Sequence, residues 1–148
     1  MRIKTLLATA ALATTAALPS LSYADVATVC QIAAPKLARG LGVAQIAPNH
    51  ASGSLRAALD FQRDWKAHAP EKAEPSQYAF EGYLAWRVLA EALTRLREAP
   101  TRASVKRALE QLGTLDLGGF RVAFNATQRE GSDFVDIGVV DDQCRLKY

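Results

Sequence analysis

"YAFEGYLAWRVLAEAL", residues 78–93, is an apolar stretch with Tyr78, Phe80 and Tyr83 crowded at its front and Trp86 one turn further on. Ser76, after Pro75, stands where a side-chain oxygen accepts from the first unpaired N–H groups of a helix, so the segment is expected to be a helix opening there. Gly82, Ala85, Trp86, Leu89, Leu93 and Leu96 form one stripe along it, and Phe80, Leu84 and Val88 carry the apolar surface onto a neighbouring face. A stripe this wide calls for burial against more than one element. Gly82 costs roughly 0.5 to 1 kcal/mol relative to alanine inside a helix, which points to close approach of another backbone. Phe80 and Tyr83 read as core.

Upstream, an alanine-rich stretch is broken by Pro35 and Gly40, and Val43–Ala47 is a short apolar run stopped by Pro48 and Asn49, the pattern of a buried strand. Ser52 or Ser54 is placed to cap a helix running to about His68, with Leu55, Ala58, Phe61 and Trp65 on one face. "HAPEKAEPS", residues 68–76, is a proline-punctuated connector. Downstream, Pro100 and Thr101 open a third helix with Val105, Ala108, Leu109 and Leu112 facing inward, and Gly113 stops it. From Leu115 the period changes to two. Phe120, Val122 and Phe124 alternate with Arg121 and Ala123, "NATQREGSD" turns the chain, and Phe134–Val140 and Cys144–Leu146 complete two or three antiparallel strands. The fold class is α/β: three helices, a short buried strand and a C-terminal antiparallel β segment.

The N-terminus carries Arg2 and Lys4, an apolar run from Leu6 to Leu18, Pro19, and the small-x-small triplet Ser22-Tyr23-Ala24. That is the pattern of a secretory signal peptide over residues 1–24. The run is too short to cross a bilayer, which takes about 20 apolar residues, and no later segment is long and apolar enough to do so. Residues 25–148 are then the single mature domain, free of the membrane. Taking Arg2 and Lys4 from 18 basic residues leaves 16 against 15 acidic ones, a net charge of +1. Nucleic acid and anionic membranes need clustered Lys and Arg, so neither is expected as a partner. Cys30 and Cys144 are the two cysteines. In an oxidising compartment they are either bridged or two separate thiols, and the sequence leaves both open.

Catalytic and metal motifs are missing. His50 and His68 have no His-x-x-x-His or Cys-x-x-Cys company. Ser52 and Ser54 flank Gly53 without making a Gly-x-Ser-x-Gly elbow, and capping explains them more simply. Gly40-Leu41-Gly42 precedes a strand instead of following one, so it is no dinucleotide loop. The Asp141-Asp142 pair reads as a solvated turn, because calcium wants more oxygen ligands.

Five strings, "GVAQIAPN" (42–49), "PSQYAFEGYLAWRVLAEAL" (75–93), "PTRASVKRALEQL" (100–112), "LDLGGFRVAFNATQREGSDFVDIGVV" (115–140) and "DDQCRLKY" (141–148), stand in an order that resembles the C-terminal part of a type I periplasmic solute-binding protein. The likeness is to the receptor of a branched-chain amino-acid ABC importer, and it runs from about Leu41 to the end. It implies a partial type I periplasmic-binding-protein fold. It further implies a periplasmic, non-catalytic, cofactor-free receptor that captures an amino acid or amide between two hinged lobes and presents it to an ABC permease. On that pattern the first lobe's sheet, most of the second, and the loops for the ligand's α-amino and α-carboxylate groups are not among these residues, which reads as a truncated member. Tyr78 matches an aromatic that packs on the ligand side chain in branched-chain amino-acid-binding members; its bland alternative is a half-buried helix-entry residue. The competing functional reading is a small independent exported module that joins a partner through its apolar faces.

Overall fold

The computed structural model describes residues 21–22, 26–33 and 35–148. Its elements are β1 (Leu21–Ser22), α1 (Val26–Ala33), α2 (Pro35–Ala38), β2 (Gly42–Gln45), α3 (Arg56–His68), α4 (Gln77–Thr94), α5 (Arg102–Glu110), β3 (Gly113–Asp116), β4 (Arg121–Phe124), β5 (Asp136–Val140) and β6 (Leu146–Lys147). They fall into two compact units, one made of the described residues up to Ala44 with Ile137–Tyr148, the other of Gln45–Asp136. Most of the span read as a leader lies outside the described residues. Leu21 and Ser22, which belong to that span, pair in parallel with Gly42 and Val43.

The first unit is a four-stranded sheet in the order β1-β2-β5-β6, with β5 and β6 antiparallel. Val26, Cys30, Ala38, Val43 and Val140 bury its centre. The alanine-rich stretch is broken where expected, into α1 ending at Ala33 and α2 beginning at Pro35. Proline is tolerated in the first turn of a helix, where its missing N–H would have no partner anyway, so Pro35 begins α2. Gly40, with φ +85°, then closes the helix in the left-handed region. Cys30 of α1 and Cys144 of the β5–β6 turn form a disulfide, their Cα atoms 6.2 Å apart. That turn is shaped by Asp141, whose carboxylate accepts from the Gln143 and Arg145 N–H groups, each at 2.8 Å.

The second unit packs α3, α4 and α5 with the β3–β4 hairpin around one core in which Phe61 and Phe80 are almost wholly buried. Their rings meet at 5.2 Å between centroids, with Trp65 and Tyr83 tilted against Phe61. Two expected caps are present. The Ser76 hydroxyl accepts from Ala79 N–H, and Thr101 forms a capping box with Ser104. The third is not. The residue before α3 is Leu55, which offers no side-chain cap. Ser52 accepts from the Leu55 N–H, one residue too early, and the free N–H of Ala57 is satisfied by the Gly118 carbonyl at 2.9 Å. Gly118 has φ +97°, and a Cβ there would stand 2.9 Å from Ala57 N, so only glycine lets the hairpin tip come this close. Arg87 holds the same tip by donating to the Leu117 carbonyl.

In α4 the buried face is Gln77, Phe80, Leu84, Val88 and Ala92. The stripe expected to lead, Gly82 to Leu96, is turned outward at its front, where Trp86 is 59 % exposed and no atom outside the helix's own backbone lies within 4 Å of a Cβ built on Gly82, while Leu96 packs against the core. The close backbone approach expected at Gly82 is therefore absent from the described residues. The β segment is also divided. β3 and β4 pair with each other, while β5 and β6 join the sheet of the first unit.

Asp116 and Asp141 contribute to the fold's sensitivity to acid. Asp116 accepts from the Gly119 and Gly118 N–H groups, and Asp141 from those of Arg145 and Gln143, which holds both below the ordinary aspartate value. A carboxylate whose folded pKa is depressed contributes stability above its unfolded pKa and loses it as pH falls through the folded one. The melting temperature should thus be level toward acid and drop below about pH 4. Thermal melts of Asp116→Asn and Asp141→Asn should show a shallower acid drop than the parent, and an unchanged drop in both would refute the assignment.

Candidate functional site

The segment following β2 is a tight loop, Ile46 to Ser54, whose backbone groups are gathered by two glutamines. Gln77, in the first turn of α4 and 8 % exposed, donates through Nε2 to the carbonyls of Ala47 (3.0 Å) and Pro48 (2.9 Å). Its Oε1 accepts from the His50 N–H at 3.2 Å and lies 3.1 Å from His50 Nδ1. Gln62 of α3 donates to the His50 and Ser52 carbonyls. Asn49 closes the turn by accepting from Ala51 N–H at 2.8 Å. A loop pinned from two helices is pre-organised, since its polar groups are satisfied before any ligand arrives. It follows β2 directly in the chain.

Tyr78 follows Gln77 and is 46 % exposed, in the half-wet position suited to an aromatic that offers apolar contact and a polar tip. Beside the loop lies an open cleft of about 640 Å3 bounded by Pro48, Leu55, Phe120, Arg121 and Phe134. Tyr78 does not line it. Phe80 is core, and Tyr83 packs against the core while its hydroxyl donates to Asp64 at 2.9 Å. Burial raises the Tyr83 pKa, with Asp64 acting in the same direction, and the hydrogen bonds from Arg63 and Tyr83 hold Asp64 low.

Of the residues weighed for catalysis, His50, Ser52 and Ser54 have hydrogen-bond partners within the fold. The His50 ring meets an amide, Ser54 Oγ lies 3.5 Å from Ser52 Oγ, and among the described residues no three His, Cys, Asp or Glu side chains gather to hold a metal. Asn125 accepts from Thr127 and Gln128 N–H groups as a turn former. Among the described residues no helix is long and apolar enough to cross a membrane. Gln77 is the organiser that sequence reasoning missed. Its partners lie 27 to 30 residues away, and nothing local distinguishes it from any other polar residue at a helix start.

Over residues 7–144 the chain matches the periplasmic binding protein family, and it belongs to that family. Three solved structures are similar to it. An extracellular ligand-binding receptor from Verminephrobacter eiseniae shares 30 % identity with a TM-score of 0.74, over 86 % of this chain and 36 % of that one. A possible leucine/isoleucine/valine-binding protein from Rhodopirellula baltica shares 25 % identity with a TM-score of 0.74, over 82 % and 32 %. A substrate-binding periplasmic protein from Ralstonia solanacearum shares 34 % identity with a TM-score of 0.73, over 83 % and 35 %. The chain thus spans about a third of the length of each. No curated protein matches it.

Proposed function

We propose that the protein is an exported, non-catalytic solute-binding component of an ABC importer for branched-chain amino acids or related small solutes, working beside a membrane permease in the periplasm. The observation that carries this reading is family membership over residues 7–144, supported by the likeness to a possible leucine/isoleucine/valine-binding protein. Tyr78 is assigned to the solute's side chain, with the loop held by Gln77 and Gln62 beside it.

A two-lobed receptor holds the α-amino and α-carboxylate groups of its solute with both lobes, and this chain spans about a third of its neighbours' length. These 148 residues are assigned one wall of such a site. A ligand that binds only the native state at a hundred times its Kd adds about 2.7 kcal/mol of stability. Millimolar leucine or valine should therefore leave the melting temperature of this chain unchanged. A rise of several degrees would overturn the assignment of a single wall while strengthening the choice of solute.

Export requires the leader of residues 1–24. The intact mass of the periplasmic product should match a chain beginning at Asp25, and a product retaining Leu21 and Ser22 would count against cleavage there.

A further inference from the structure

We propose that a second cleft in the unit Gln45–Asp136, between α5 and the segment after β4, binds a small amphipathic anion of the medium-chain alkanoate class. The cleft has a volume of about 580 Å3, inside the range of about 300 to 1,000 Å3 that small-molecule sites occupy. Val105 and Leu109 of α5 and Phe124 of β4 make its apolar floor, while Arg102, Lys106 and Arg129 stand on its rim. One acid, Glu110, lines it with them, and that carboxylate is shared by Lys106 at 3.2 Å and Arg129 at 3.8 Å. Arg102 has no acidic partner among the described residues. The rim therefore carries more positive charge than its one acid offsets, above a floor that only an apolar tail can fill.

The walls are built before any ligand comes. Asn125 accepts from two N–H groups of its own turn and so fixes the loop that carries Arg129. Ala123 N–H donates to the Gly131 carbonyl at 2.7 Å, drawing the end of that loop onto β4. Any side chain at Gly131 would overlap the Phe124 ring, so this glycine sets how the ring lies. A fixed apolar floor is a site for a tail of matching shape, because water leaves both surfaces on contact. A guanidinium offers two parallel N–H groups to a carboxylate, which lets Arg102 select the anion over a neutral or cationic head. Arg102 is exposed, so it sets selectivity while the floor sets affinity.

The test is titration of the full chain with decanoate, decanol and decyltrimethylammonium, each below its micelle concentration, followed through the methyl resonances of Val105 and Leu109. Decanoate should shift those methyls and bind about two- to fivefold more tightly than the other two, the size of effect an exposed charge contact supplies. Arg102→Glu should lose that preference and Val105→Asp should lose binding altogether. Because Arg102 lies on the surface, its variant is expected to keep the parent melting temperature and carries the test even if Val105→Asp fails to fold. Equal binding of all three probes, or decanoate binding untouched by Arg102→Glu, would overturn the proposal.

Discussion

Cys30→Ala should lower the stability of the first unit by about 4 to 5 kcal/mol, the largest single effect expected in this chain. The two cysteines are 114 residues apart, and in the chain-entropy view a bridge of that span removes about 4.7 kcal/mol of freedom from the unfolded chain. Little else is present to replace it. The buried centre of this unit is Val26, Cys30, Ala38, Val43 and Val140, small side chains that bury limited apolar area. Substitution at Cys30 is the cleaner choice, because Cys144 has φ +56° and any replacement there would mix a backbone effect with loss of the bridge. The amide hydrogens to follow are Gly40, bonded to the Val140 carbonyl, and Val140, bonded to that of Leu41. Their exchange should speed up by about three orders of magnitude in Cys30→Ala and equally in the reduced parent. Both tryptophans, Trp65 and Trp86, lie in the other unit, so their fluorescence reports that unit separately. Unchanged exchange at Gly40 and Val140 would mean that the strands hold without the bridge.

What could be read in advance was what is decided within a few residues. Ser76 and Thr101 cap their helices because the accepting oxygen and the N–H it serves are three positions apart. The period-two signal of Phe120, Val122 and Phe124 marked β4 for the same reason. Tyr78 was found at a helix entrance because Pro75 and Ser76 announce one. What stayed hidden depends on distant partners. The start of α3 is finished by a carbonyl of the hairpin tip, the loop after β2 is gathered by Gln77 and Gln62, and β5 leaves its sequence neighbours β3 and β4 to join another sheet. Neither cleft has a local signature, since each is lined by residues drawn from separate elements.

The inner face of α4 is the sharpest of these cases, and it yields the second large effect. Period 3.6 allows two apolar stripes on this helix, and the packing of α3 and α5 against it decides between them. Phe80 is wholly buried against Phe61 and Tyr83, whereas Trp86 is 59 % exposed. Phe80→Ala should cost about 3 to 5 kcal/mol, from lost transfer energy and the cavity left behind. That is a large share of the roughly 5 to 15 kcal/mol that holds a domain together. Trp86→Ala, removing the larger ring, should stay within about 0.5 kcal/mol. Urea melts read by Trp65 fluorescence in a Trp86→Phe background measure the first, and circular dichroism the second. A double-mutant cycle of Phe61→Leu and Phe80→Leu should return a coupling of about 0.5 to 1.5 kcal/mol for the ring pair. If Trp86→Ala cost as much as Phe80→Ala, the outer stripe of α4 would be buried in the molecule in solution, and the face assigned to water here would be a contact surface.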